Sequence, residues 1–144
     1  MRRGFTLLEL LLTIGIMLVV GRLATGFYAR FLTQNAVANT VDQIVQDIRK
    51  AQFYSMVSRK NNVSGWGVNF TAPTLTLYQG GSFGTRNTAL DEKFTVSSSI
   101  TVTGLTDINF PRLNGIPAAG ATITVSGLGT SKTVTVNNQG VVTR

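Results

Sequence analysis

The sequence predicts an α+β fold: a long N-terminal helix, apolar in its first half and amphipathic in its second, packed on a small antiparallel β-sheet domain. Three observations carry this prediction. From Phe5 to Gly21 the chain has 17 residues and one ionisable group, Glu9. Further on, Phe27, Phe31, Val37, Val41, Ile44, Ile48 and Ala51 recur at steps of three and four, apart from one longer gap, which is a single apolar stripe of helical period. Beyond Ser64 apolar residues alternate with threonine, glycine and asparagine, the period-two pattern of strands.

Phe5 to Val20 covers about 24 Å as a helix at about 1.5 Å per residue. Continued through Gly21 to Ala29, past Arg22, it reaches across a bilayer core of about 30 Å, with Arg22 snorkelling toward the surface. Gly15, Gly21 and Gly26 each cost about 1 kcal/mol against alanine in a helix. They fit close helix–helix packing in lipid, and they equally fit a soft point where the helix unwinds. The face opposite the apolar stripe carries Gln34, Asn35, Asn39, Asp42, Gln43, Gln46, Asp47 and Arg49. No proline precedes Pro73, so one helix is expected from about Phe5 to about Val57, its stripe packing on the later part of the chain. It should stop between Ser58 and Ser64, where Arg59-Lys60-Asn61-Asn62 supplies basic last-turn residues and asparagine breakers.

The β half begins with Trp66, Val68 and Phe70, then Leu75 and Leu77, with Ala72-Pro73 as the turn between them. Gly80 to Gly84 reads as a loop. Short strands are expected at Phe94–Val96, Ile100–Val102 and Ile108–Phe110. A hairpin is expected from Ile123–Val125 to Val134–Val136 around Gly127-Leu128-Gly129, and a last strand at Val141–Thr143 after Asn137–Gly140. The spacing suggests an antiparallel meander with one face on a core, and the amphipathic helix is the available lid. The segments are therefore 5–26 for the apolar helix, 27–58 for the amphipathic helix and 59–144 for the β domain.

Composition narrows the chemistry. The chain of 144 residues has neither cysteine nor histidine, which removes disulfides, thiolate metal sites and the commonest general base. Its six acids (Glu9, Asp42, Asp47, Asp91, Glu92, Asp107) are scattered. An enzyme is not expected, nor any cofactor or metal. Asp91-Glu92 suits a solvated loop pair better than a calcium site. Gly80 to Gly84 lacks the lysine and the helix that a phosphate loop needs. Trp66 with Phe70 is a candidate stacking platform for single-stranded DNA, although their alternation favours core burial. The net charge of +7 permits attraction to anionic surfaces without demanding it.

Glu9 is the residue that most needs a reason. A carboxylate in an apolar helix costs about 2.5–3.5 kcal/mol at mid-membrane, so a partner is expected. If the chain were cut between Gly4 and Phe5, the new amine would lie four residues before Glu9, and the two could neutralise each other within a chain or between neighbours. Arg2 and Arg3 would hold the leader on the cytoplasmic side, and their removal would lower the net charge by two.

Gly4-Phe5-Thr6-Leu7-Leu8-Glu9 after this short basic leader resembles the class III signal of type IV pilins and type II secretion pseudopilins. The resemblance implies a leader of residues 1–4, cleavage by a prepilin peptidase after Gly4, N-methylation of Phe5, and Glu9 as the assembly carboxylate. It also implies a pilin-like fold and a bacterial inner-membrane, single-pass location with the C-terminal domain outside the cytoplasm. The implied partners are membrane lipid, other pilin or pseudopilin subunits and an inner-membrane assembly platform. Three plainer alternatives stand beside it: a secretory signal cut near Ala24-Thr25-Gly26, a twin-arginine signal at Arg2-Arg3, and a simple membrane anchor.

A second resemblance lies further along. Asp107-Ile-Asn-Phe110, Gly115, Gly120-Ala-Thr-Ile-Thr-Val125, Lys132-Thr-Val-Thr-Val136 and Gly140-Val141-Val142 are similar to the GspH/FimT-like minor pseudopilins and minor pilins. Some FimT-like pilins bind DNA through arginines near the C-terminal glycine. Val141 stands where such an arginine would strengthen the likeness, which leaves Arg144 and Lys132 as candidates, with Arg59, Lys60 and Arg112 as an additional patch.

Overall fold

The structure is a computed structural model in which residues 5–60 and 64–144 are described, Ala24 by its backbone alone. One long N-terminal helix, α1 (Leu7–Met56), precedes a small antiparallel β domain, the α+β arrangement expected. Asn61 and Asn62, expected to help end the helix, lie outside the described residues, as do Arg2, Arg3 and Gly4. The chain divides into two compact units, residues 1–32 and 33–144.

In the first unit Thr6 starts α1. Its hydroxyl oxygen accepts the Glu9 N–H at 3.3 Å and its carbonyl accepts the Leu10 N–H at 3.2 Å. Thr6-Leu7-Leu8-Glu9 thus has the Ser/Thr-x-x-Glu spacing of a helix start. The helix runs unbroken through Gly15, Gly21 and Gly26. Every described side chain from Phe5 to Leu32 is exposed. That corrects the start of the apolar stripe, because Phe27 and Phe31 are 72% and 59% exposed. Spacing continues a stripe whether or not anything lies opposite it, and burial begins only at Thr33.

In the second unit the remaining stripe residues, Val37, Val41, Ile44, Ile48 and Ala51, are all buried, and Val45 and Tyr54 join them. Asp47, expected on the solvent face, is also buried.

The strands are β1 (Trp66–Thr71), β2 (Thr74–Gln79), β3 (Glu92–Thr95), β4 (Thr101–Thr103), β5 (Asp107–Phe110), β6 (Ala121–Gly127), β7 (Thr130–Val136) and β8 (Val142–Thr143). Instead of one meander they form two four-stranded antiparallel sheets, ordered β3-β2-β1-β5 and β4-β6-β7-β8. The chain leaves the first sheet after β3, lays down β4, and returns to place β5 beside β1, with Trp66 opposite Phe110. Period-two alternation reports which face a residue takes, not which strand lies beside it, so this crossover was not readable. The expected hairpin is present as β6–β7, closing from Gly127 to Thr130. Side chains of both sheets and of α1 form one core that includes Trp66, Leu75, Leu77, Phe110, Ile123 and Val134.

β1 departs from simple alternation, being buried from Trp66 through Asn69. The causes are Tyr78 of β2 and the turn before β5, whose Thr106 carbonyl accepts from the Asn69 amide. Tyr78 lies over Gly67, where any Cβ would collide with its ring, and Phe83 packs edge-on to Tyr78 at 5.7 Å. Gly80 to Gly84 is therefore part of a second, smaller packed layer on the outer face of the first sheet.

Helix α1 ends without glycine. Arg59 N–H donates to Tyr54 O at 3.1 Å and Ser58 N–H to Ser55 O at 3.3 Å, while Ser58 takes the left-handed conformation at φ 47°. This is the paired-bond C-terminal cap usually built on glycine. Its customary apolar contact is here the Arg59 guanidinium, 4.1 Å above the Tyr54 ring.

One side chain fastens this helix end to the sheet. The Ser55 hydroxyl donates to Phe110 O at 2.8 Å and accepts the Trp66 N–H at 2.9 Å, all in the buried interior. Gly65, at φ +106°, precedes Trp66 where a Cβ would strike Phe110 O. Replacing Ser55 by alanine strands a buried donor and a buried acceptor together. Ser55→Ala is expected to lower the unfolding free energy of the β-containing unit by about 2–4 kcal/mol. The readout is the denaturant midpoint followed by the fluorescence of Trp66, the sole tryptophan; an unchanged midpoint would show that this bridge contributes little.

Candidate functional site

The first unit presents a helix that is long and apolar enough to cross a membrane, near the N-terminus. Its threonine hydroxyls are turned back on their own backbone. Thr13 Oγ1 donates to Glu9 O at 3.0 Å and to Leu10 O at 2.8 Å, and Thr25 Oγ1 donates to Arg22 O at 2.9 Å. Hydroxyls satisfied this way do not need water, as an apolar surrounding requires. A Cβ added at Gly15, Gly21 or Gly26 would meet nothing within 4 Å, so each glycine leaves an open notch. A shallow groove lined by Leu11, Leu12, Gly15, Ile16, Val19 and Val20 follows from the first of them.

Glu9 lies in the first turn of α1. Its backbone N–H is held by Thr6, whereas its carboxylate has no hydrogen-bond or ion-pair partner among the described residues. A carboxylate there is favoured by the helix dipole by about 0.3–1 kcal/mol. The Thr6–Glu9 spacing was the available signal for this local role, which the emphasis on Glu9 as an isolated acid passed over. Phe5 is described and 80% exposed; Gly4, the other half of the expected cleavage site, lies outside the described residues.

In the second unit the expected polar candidates are separated. Asp91 and Glu92 are adjacent in sequence but face different cations. The Asp91 Oδ2 accepts from Arg86 Nε at 3.1 Å and lies 3.9 Å from Lys93 Nζ. Glu92 pairs with Lys50 of α1, and this bond raises the Lys50 amine above its ordinary value. The Asp91 side chain is only 2% exposed, which corrects the expectation of a solvated loop pair: Arg86 and the loop it anchors cover it. Among the described residues no three metal-ligating side chains converge.

Trp66 is buried and Phe70 half-buried against the core, so they do not form an exposed stacking platform. Of the candidate nucleic-acid cations, Lys132 is exposed on β7. Arg144 follows β8, whose register carries it toward the Lys132 end of β7, but its guanidinium is engaged by Asp42 at 2.7 Å. Arg112 donates from Nε to Ser58 Oγ at 3.1 Å, which brings it against the turn that carries Arg59 and Lys60.

A further polar cluster was not foreseen. Tyr78 donates its hydroxyl proton to Asp107, Asn109 Nδ2 donates to Gly80 O at 2.8 Å, and Phe83 N–H donates to Asp107 Oδ2 at 3.1 Å. Burial first, and the Asp107 bond second, hold the Tyr78 hydroxyl well above the usual tyrosine range. That favours the protonated donor, and the Asp107 carboxylate it meets also accepts the Phe83 N–H of the loop.

No protein-family model matches the chain, and no curated protein or solved structure matches it.

Burial raises the Asp47 carboxyl above its ordinary value of 3.8, opposed by the Gln43 amide bond at 2.9 Å and by Lys50. A raised carboxyl favours the folded chain while protonated. That contribution is complete below the unfolded value and disappears as pH rises through the folded one. Asp47→Asn keeps an acceptor for Gln43 and removes the charge. It is expected to flatten the stability–pH profile above about pH 4 and to leave the unit at least as stable as the parent at pH 7. Marked loss of stability at pH 7 would show that the ionised form is needed.

Proposed function

We propose that the chain is a filament subunit of the type IV pilin or type II secretion pseudopilin kind, most similar to its GspH/FimT-like minor members. The observation that carries this reading is Glu9: an acid without a carboxylate partner among the described residues, in the first turn of an exposed apolar helix, five positions after Gly4 in a signal-like sequence. The α+β arrangement of a long N-terminal helix and a small antiparallel domain is compatible with it.

In this mechanism a prepilin peptidase cuts between Gly4 and Phe5 and the Phe5 amine is methylated. The apolar half of α1 waits in the inner membrane, with the β domain outside the cytoplasm. An assembly platform then moves it from lipid into a bundle of like helices. Glu9 of an incoming subunit pairs with the Phe5 amine of a neighbour. A buried acid alone is costly; a buried acid matched to an amine is tolerated and fixes register. The notches at Gly15, Gly21 and Gly26 allow neighbouring backbones to approach. Lys132 and Arg144 keep DNA uptake as a secondary reading, weakened by the engagement of Arg144 with Asp42.

Two outcomes test this. Glu9→Ala is expected to reduce filament incorporation at least about tenfold, the loss of one charge-assisted contact, with membrane insertion intact. Thr6→Ala, which removes only the helix cap, should cost about 1 kcal/mol of helix stability and still incorporate. Equal defects in both variants would assign Glu9 to capping alone. Separately, Gly4→Val is expected to retain the leader, seen as a heavier N-terminal peptide by mass spectrometry, whereas the parent begins at Phe5. A parent that begins elsewhere overturns the proposal.

A further inference from the structure

The far end of α1 carries an apolar surface that the core does not use. Phe53, Met56 and Val57 follow helical spacing and share one face. The loop after β5 is laid against them: Leu113 N–H donates to Ser55 O at 2.9 Å, and Gln52 Nε2 donates to Gly115 O at 2.7 Å. Gly115 sits so close to Met56 that a Cβ there would lie 2.9 Å from its sulfur. Leu113 and Ile116, on either side of that contact, point outward. These five side chains are between 45% and 68% exposed, where a core-forming loop would have buried them. Gly140 closes the surface from the other side, packed on Gly115 O and Gln52 in a left-handed turn at φ +80° that admits no side chain.

The surface is rimmed by cations. Arg49 lies one turn before Phe53. Arg59 is stacked on Tyr54, Lys60 follows it, and Arg112 is fixed by Ser58. All four are exposed, and no carboxylate among the described residues pairs with any of them.

The charges decide what covers it. Every acid of the second unit is already engaged within that unit. Asp42 holds Arg144, Asp91 holds Arg86 and Lys93, and Glu92 holds Lys50. Asp47 takes the Gln43 amide, and Asp107 takes Tyr78 and the Phe83 amide. A second copy of this unit would bring the same unpaired cations and, among its described side chains, no free carboxylate, so like would meet like. The acid of the first unit, Glu9, is taken by a neighbour's Phe5 amine in the proposed assembly. Nucleic acid would satisfy the rim and leave five apolar side chains against phosphate and sugar. Met, Phe and Arg together are the composition of protein–protein contacts. We infer that the end of α1 and the 111–116 loop form a docking surface for another protein, through a segment that combines apolar and acidic side chains.

The test uses the full chain in discs of zwitterionic lipid, with a photocrosslinking residue at position 113 and, as a control, at exposed Ser131. The probes are an amphipathic peptide of leucine and glutamate at helical spacing and its leucine–lysine counterpart. Position 113 is expected to capture the acidic peptide and not the basic one, and Ser131 neither. Arg59→Glu with Arg112→Glu should lower the yield about tenfold or more, as should raised salt. Met56→Ser, whose side chain is outside the core, should lower it with the Trp66 emission unchanged. Equal capture of both peptides, equal capture at Ser131, or indifference to Met56→Ser would each overturn the inference. Preferential crosslinking to a second copy, to anionic lipid or to a short DNA duplex would reassign the surface.

Discussion

The two sheets share no strand; what they share is one core, in which the helix face from Val37 to Ala51 joins side chains of both. Neither four-stranded layer could shield its inner residues from water alone. Ile44 and Ile48 are wholly buried, in a core whose other side chains come from strands far apart in the chain. Ser55 then ties the helix to β1 and β5 at once. Loss of that face would leave two thin, threonine-rich layers with little apolar surface to hide.

Continuity of α1 conceals a change of solvent. From Thr33 onward it buries a face against strands; before that, every described side chain is exposed. Leucine, isoleucine and valine displayed over so many turns are costly to keep in water, and the segment is long and apolar enough to cross a membrane. That cost comes from elementary physical chemistry and holds for any helix with this surface.

The helix and its core face were legible because burial repeats at a period the eye can follow. Val37, Val41, Ile44, Ile48 and Ala51 were all correctly placed. Phe27 and Phe31 were not, since a pattern shows that a residue is apolar and leaves open whether a partner lies opposite. Strand positions were legible to within a residue or two, including the β6–β7 turn, except that β7 begins at Thr130, four residues before the expected Val134. Their pairing was not: the neighbour of β1 is β5, and nothing in Trp66–Thr71 names Asp107–Phe110. Asp47 was assigned to the wet side by its chemistry alone. Its Gln43 bond, one turn away, was the clue to a polar group kept partly from water. The end of α1 was placed within a residue, but its cause was not: the left-handed Ser58 turns the chain, and the last turn holds no basic residue. Of the N-terminal residues, Glu9 was singled out for its charge, and the capping role of Thr6 three positions earlier was missed.

Thr13 and Thr25 have a quieter consequence. With their hydroxyls spent on carbonyls of the preceding turn, the outer skin of the apolar segment bears almost nothing that distinguishes one level from the next. A neighbour could be displaced along it by a turn, or rotated about it, with small change in contact energy, as an oiled rod moves in a sleeve. Glu9 near the start, Arg22, Tyr28 and Arg30 beyond the apolar run, and the three glycine notches are what mark height. In a bundle of such helices, level would be read from those few side chains.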